Sequence, residues 1–152
     1  MTTTPKMRAN MPSLCDINVL LALAFGRHTH HRAATSWLAT TNDAGAVVVC
    51  RQAQLGLLRL LSTRAVMGGD VLDTAGSWAV LDAMMSDERF AFGPEPPELE
   101  LIFRQVMRGV SVSPKVWQDA YLAAFAIAGG LTLVTFDDGF SGIAGLELTL
   151  LG

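Results

Sequence analysis

Charge is scarce in this chain. Of its 152 residues only 16% are Asp, Glu, Lys or Arg, and the net charge is −3, with a pI of about 5.5. A broad basic face of the kind that grips nucleic acid over a large surface is therefore excluded, and any such contact has to run through a local patch. Lysine is the scarcest cation, limited to Lys6 and Lys115; the rest are arginines, which suit bidentate phosphate contacts better than lysines do. There are two cysteines, Cys15 and Cys50, both inside apolar runs and without metal-type Cys/His spacing. They read as small buried hydrophobes in a reducing, cytoplasmic setting. The opening MTTTPKMRAN has no apolar core and is not a signal peptide. Residues 1–12 read as a flexible tail, with Met7 and Met11 as alternative starts, and 13–152 as one domain, since no repeat, linker or low-complexity tract divides them.

Apolar residues, by contrast, are abundant: 51% of the chain, with a mean hydropathy of +0.37. The stretch Ala120 to Phe136 is uncharged and about long enough for a short membrane span. Gly129-Gly130 splits it, however, and Asp119, Asp137 and Asp138 bracket it. A buried helix followed by a buried strand is the better reading, with no membrane involved. Ser113 is placed as an N-cap and Pro114 as the first helical residue. The helix then runs to Ala128, the glycine pair stops it, and Leu131 to Phe136 forms a strand covered on both faces.

The remaining elements alternate. Ser13–Ile17 reads as a strand and Asn18–Phe25 as a helix; a second helix follows in HHRAATSWLATT, with Ala33, Ala34, Trp37 and Leu38 on one face. The histidines His28, His30 and His31 that open it are read as exposed and capping, with metal binding as the alternative. Ala46–Cys50 is a β-branched strand expected to be central, and Gln52–Leu61 a helix in which Gly56 allows close packing. Asp70, after Gly68-Gly69, is a plausible N-cap for a helix to Ser86; the glycine pair is no phosphate loop, because no Lys-Ser/Thr follows it in order. Phe90–Phe92 is a brief strand, Glu98–Arg108 a helix with charges matching its dipole, and Leu146–Leu150 an edge strand. Such alternation predicts a three-layer α/β fold, a five-stranded parallel sheet with helices on both faces.

Three acids stand out against this apolar background. Asp16 follows the first strand, Asp137 follows the fourth, and Asp119 is the only acid in the helix that precedes the fourth. Each has a plain structural use: a helix cap for Asp16, a turn in TFDDGF for Asp137, an N–H or arginine partner for Asp119. In parallel sheets, sites form outside the carboxyl ends of strands where strand order reverses. If the first and fourth strands are neighbours, all three acids share one pocket, and carboxylates within ~5 Å of each other repel strongly. Mg²⁺ or Mn²⁺ relieves that repulsion and supports hydrolysis of phosphodiesters.

The segments CDINVLLALAF, QAQLGLLRLLS and WQDAYLAAFAIAGGLTLVTFDDGF together resemble a PIN domain, and specifically the VapC-type toxins of toxin–antitoxin pairs. GRHTHHRAATSWL is similar to the His-and-Trp helix of one VapC branch. The resemblance covers Leu14 to Gly152. It implies a Mg²⁺- or Mn²⁺-dependent endoribonuclease with Asp16, Asp119 and Asp137 as metal ligands. Asn18, Thr135 and Arg59 fall on supporting or substrate-binding positions, and Asp138 on one that assists. It also implies an RNA substrate, a VapB-type antitoxin partner and a homodimer.

One position departs from the pattern. Where the family usually carries Glu two residues before the glycine of the third helix, this chain has Gln54. Gln keeps an oxygen but loses the charge, so it serves neither as a base nor as an anionic ligand. Weakened activity follows as an expectation, and the alternative function is a PIN module acting by RNA or antitoxin binding. A phosphoacceptor receiver domain is disfavoured, since it needs an acidic pair after the first strand and a late lysine. An antitoxin groove is expected around Leu57, Leu61, Val66 and Met67, with ordinary core as the alternative.

Overall fold

The computed structural model describes residues 11–152. The expected tail lies, through residue 10, outside the described residues. Pro12 already belongs to the sheet, because its carbonyl accepts the Thr132 N–H at 3.0 Å. Five strands are present among the described residues: β1 (Ser13–Cys15), β2 (Val47–Val49), β3 (Phe90–Phe92), β4 (Thr132–Thr135) and β5 (Glu147–Leu150). All pairings are parallel, in the order β3-β2-β1-β4-β5. The strand order reverses between β1 and β4. β5 is an edge strand as expected, while β2 lies one place off centre and β1 takes the middle.

The helices are α1 (Ile17–Ala24), α2 (His31–Leu38), α3 (Arg51–Leu61), α4 (Arg64–Met67), α5 (Thr74–Met85), α6 (Leu99–Met107) and α7 (Val116–Gly129). Successive side chains of a strand point to opposite faces. Leu14 and Cys15 on β1, and Leu133 and Val134 on β4, are all fully buried. Both faces of the sheet are therefore covered, which is the three-layer arrangement that the apolar strands require. The stretch Ala120 to Phe136 divides into α7 and β4 at Gly130, whose φ of +67° is a left-handed cap that glycine adopts without strain. Among the described residues no helix is long and apolar enough to cross a membrane.

Several boundaries differ from the sequence reading. β1 stops at Cys15, so Asp16 is free to cap α1. Helix α5 starts at Thr74 and its cap is Asp73, which accepts the Gly76 N–H at 2.7 Å. Asp70 instead sits in a short 3₁₀ turn, 3.9 Å from Arg27. Helix α7 starts at Val116, two residues later than Pro114; Lys115 takes the cap position, and the Ser113 carbonyl accepts the Val116 N–H. The expected antitoxin groove is not a groove. Leu57, Leu61 and Met67 are buried in the main core and only Val66 is exposed. Helical spacing marks an apolar stripe but does not say whether the rest of the chain already covers it.

Candidate active site

Adjacent strands β1 and β4 end side by side, and the residues just beyond them meet. Asp16 accepts the Ile17 N–H on Oδ1 at 2.7 Å, which caps α1. Its other oxygen, Oδ2, accepts the hydroxyl of Thr135, the last residue of β4, also at 2.7 Å. Thr135 Oγ1 in turn accepts the Asp137 N–H at 3.0 Å. Asp137 Oδ1 accepts the Gly139 N–H at 2.8 Å and so caps the short 3₁₀ turn Asp138–Phe140. The structural uses of Asp16 and Asp137 as caps are therefore real, and each still leaves lone pairs on its carboxylate.

Asp119 comes to this place from the first turn of α7. Lys115, one turn earlier on the same face, brings an ammonium to the cluster. Its Nζ donates to Asp137 Oδ2 and lies 3.8 Å from Asp119 Oδ2. A hollow of about 220 Å³ opens beside them, lined by Asp16, Asn18, Gln52, Arg59, Lys115 and Asp119, with apolar side chains from α1, α3 and α7. Two oxygens of its lining residues, Asn18 Oδ1 and Gln52 Oε1, are buried without a hydrogen-bond partner.

The electrostatics follow from burial and neighbours. Burial raises the Asp16 carboxyl above its ordinary value, against the hydrogen bonds from Thr135 and Ile17. Burial also pushes Asp119 up to about 6, with Lys115 opposing the shift and the Asp16 and Asp137 charges reinforcing it. Asp137 goes the other way, held low mainly by Lys115 and by the Gly139 N–H. Desolvation and like charge disfavour an anion, whereas a donated hydrogen bond favours it.

The other sequence-assigned residues are placed as follows. Thr135 is fully buried. Arg59 lines the hollow from the third turn of α3. Asp138 is exposed and opens the 3₁₀ turn. Gln54 is buried, and its Oε1 accepts from Arg51 Nη1 at 2.6 Å, while Arg51 also stacks over the Phe92 ring. The hollow's wall on this part of α3 is formed by Gln52 rather than Gln54. The histidines serve local structure: His30 N–H donates to His28 Nδ1, His31 Nδ1–H donates to the Ala22 carbonyl, and the His30 ring stacks on Phe136.

Sequence reasoning missed Lys115 and Gln52. For Lys115 a signal existed, since a lysine four residues before the one acid of an apolar helix shares its face. For Gln52 there was none, because an unpartnered oxygen is a property of packing.

The chain matches the family model described as PIN domain over residues 13–146. It is 46% identical to Ribonuclease VapC41 of Mycobacterium tuberculosis over 142 residues, covering 91% of this chain and 97% of that protein. It is 33% identical to Ribonuclease VapC29 of the same organism, covering 89% and 92%. Among solved structures it is similar to VapBC2 from Rickettsia felis bound to a promoter DNA fragment, with a TM-score of 0.67 at 16% identity, covering 93% of this chain and all of that one. It is also similar to VapC20 of Mycobacterium tuberculosis, a sarcin–ricin loop cleaving toxin, with a TM-score of 0.62 at 16% identity and coverage of 89% and 98%. The parallel sheet in this strand order, its acids gathered where β1 and β4 end, and these matches over nearly the full length show that the chain belongs to the PIN-domain family, as a relative of the VapC ribonucleases.

Proposed function

We propose that this protein is an endoribonuclease toxin. It hydrolyses phosphodiester bonds of RNA at Asp16, Asp119 and Asp137 with Mg²⁺ or Mn²⁺, and a VapB-type antitoxin neutralises it in the cytoplasm. The observation that carries this reading is the convergence of three carboxylates from three separate segments: Asp119 and Asp137 flank the Lys115 ammonium, and Asp16 lines the same hollow as Asp119 and Lys115. It occurs in a chain 46% identical to a ribonuclease.

The donor types present, carboxylate and amide oxygens, suit a hard divalent ion, although among the described residues no three Asp, Glu, His or Cys side chains stand grouped about one point. The cluster already accommodates positive charge from Lys115, and the partnerless Asn18 and Gln52 oxygens add neutral donors at the same hollow. When bound, such an ion supplies charge stabilisation at phosphorus and lowers the pKa of a bound water. The chain's own groups prepare the place. Thr135 and the Ile17 N–H fix both oxygens of Asp16, and Gly139 N–H fixes Asp137. Arg59 presents a guanidinium at the hollow, suited to the non-bridging oxygens of a phosphate.

Partners need surface. Leu101, Val112 and Trp117 are half or more exposed. A groove of about 730 Å³ between α6 and α7 is lined by Phe103, Met107, Trp117, Arg104, Arg108 and Glu100. Apolar area of this kind supports docking of an antitoxin or of a second copy in a homodimer.

The test is to incubate the protein with a panel of structured RNAs in Mg²⁺, Mn²⁺ or EDTA, with Asp119→Ala as control. EDTA-sensitive cleavage that the Ala variant lacks is expected. Gln54 favours a second reading, in which catalysis is weakened and the module acts by occupying RNA or antitoxin. RNA binding with no cleavage in any metal is the outcome that selects it.

A further inference from the structure

The acid cluster already contains a cation of its own. Lys115 Nζ donates to Asp137 Oδ2 and stands 3.8 Å from Asp119 Oδ2. The same side chain lines the hollow with Asp16. Two independent pieces of backbone put it there. Lys115 is one helical turn before Asp119, so the two share a face of α7. Asp137 is delivered from the far end of β4 by its own cap.

We infer that Lys115 is a tethered counter-ion of the acid cluster, and that a divalent ion binds there only by displacing its ammonium from Asp137 and Asp119. The inference rests on the reading above that these acids, with Asp16, hold the metal. Three observations carry it.

The first is competition for the same atoms. A metal-bound carboxylate oxygen lies ~2.0–2.6 Å from the ion. An ammonium still hydrogen-bonded to that carboxylate would sit within a few ångströms of a dication, in a partly buried place where like charges repel strongly.

The second is arrangement. Among the described residues, no three Asp, Glu, His or Cys side chains are grouped as they would be around one ion. Asp119 and Asp137 are instead disposed about Lys115 Nζ.

The third is freedom to leave. The Lys115 side chain is 66% exposed, against 27% for Asp119 and 23% for Asp137. Asp137 is held by the Gly139 N–H and Asp119 sits on a one-carbon stem of α7, but the four-carbon stem of Lys115 reaches solvent by rotation alone. Displacement costs an ion pair and no refolding. Lys115 thus protects the stripped protein from the repulsion of its own carboxylates and sets a threshold of metal concentration for loading.

Mn²⁺ binding to the full chain, stripped with EDTA and dialysed, tests this directly, with free Mn²⁺ followed by electron paramagnetic resonance. Lys115→Met keeps the stem and removes the charge, Lys115→Arg keeps the charge, and Asp119→Asn reports on the site itself. Lys115→Met is expected to bind Mn²⁺ about tenfold more tightly, the size of one like-charge contact removed from a half-exposed site. Lys115→Arg is expected to stay close to the unaltered protein. In EDTA the Met variant should melt below the unaltered chain, and saturating Mn²⁺ should raise its melting temperature by the larger amount. Mn²⁺ binding that Asp119→Asn weakens but Lys115→Met leaves unchanged or weakens overturns this inference and leaves the proposed function standing. No Mn²⁺ binding in any variant overturns both.

Discussion

Thr135 and Asp16, 119 positions apart in the sequence, are joined by a fully buried 2.7 Å hydrogen bond in which the hydroxyl donates to Oδ2. The same hydroxyl oxygen accepts the Asp137 N–H. One side chain thus fixes the carboxylate of Asp16 and the backbone of Asp137. Its position at the end of β4, beside the end of β1, makes the link possible.

Replacing Thr135 by Val keeps the shape and removes both bonds. A buried carboxylate oxygen and a backbone N–H then lack partners, at a cost of about 1–3 kcal/mol. Thr135→Ser keeps the hydroxyl and loses one methyl, worth roughly 0.8 kcal/mol of burial. Urea denaturation in EDTA should rank the chains wild type, Ser, Val in falling stability. A Val variant as stable as the wild type would mean that the Thr135 hydroxyl anchors nothing.

Helix α3 packs against the first residue of α1 at Gly56. A Cβ built there would stand 2.4 Å from Ile17 Cδ1, 2.8 Å from Cγ1 and 3.2 Å from Cγ2. The first two distances are far inside van der Waals contact, and the branched stem of Ile17 cannot clear both by moving its tip. Gly56→Ala should therefore destabilise by about 1–3 kcal/mol as overpacking. Because Ile17 adjoins Asp16, the variant should also loosen the site. Combining it with Ile17→Ala opens the space, so the pair should lose less than the sum of the single losses. Strict additivity in that double-mutant cycle would show that the two residues do not press on one another.

The Asp119 carboxyl titrates near 6 in the folded chain, against an ordinary value of 3.8, because burial outweighs the help of Lys115. Between those values the folded state binds the proton more strongly than the unfolded state does. Stability from this group is therefore fully present below 3.8 and is lost as pH rises through about 6. Asp137, held low by Lys115, contributes in the opposite sense, and its share is lost only in acid. Asp119→Asn abolishes the first effect and leaves the Asp137 contact in place. In EDTA, the melting temperature of Asp119→Asn relative to wild type should rise between about pH 4.5 and about pH 7.5. A difference that stays flat or falls over that interval would place the Asp119 carboxylate in surroundings that welcome its charge.

What the sequence conveyed of this architecture was local. The apolar run of α7, its glycine stop and the apolar strand behind it are written in consecutive residues, and so is the alternation that calls for a parallel sheet. The meeting of Asp16, Asp119 and Asp137 depended on β1 lying next to β4, which no single segment states; the topology supplies it. Where two residues offered the same chemistry, the choice went astray. Asp70 and Asp73 are equally good caps on paper, and packing selected Asp73. Leu57 and Leu61 look alike as groove or core, and only their tertiary burial decides. The tie between Lys115 and Asp137 spans 22 positions and was legible only in its helical half, the spacing to Asp119.

Gln54 gives the last test. Its Oε1 is held by Arg51 at 2.6 Å, and Arg51 is itself fixed over Phe92. Gln54→Glu puts a carboxylate on α3, the helix that also supplies Gln52 and Arg59 to the hollow, and should lower the Mg²⁺ concentration at which RNA cleavage is half-maximal. The new carboxylate is born beside a guanidinium, which neutralises part of its charge and competes with the metal for its oxygens. Arg51→Met combined with Gln54→Glu should therefore shift the Mg²⁺ requirement further down than Gln54→Glu alone, whereas Arg51→Met alone, with a neutral amide at 54, should shift it little. A Mg²⁺ titration of cleavage across the four chains reads all three expectations. Equal rates for Gln and Glu at every concentration would show that the carboxylate lost at position 54 is not what limits this site.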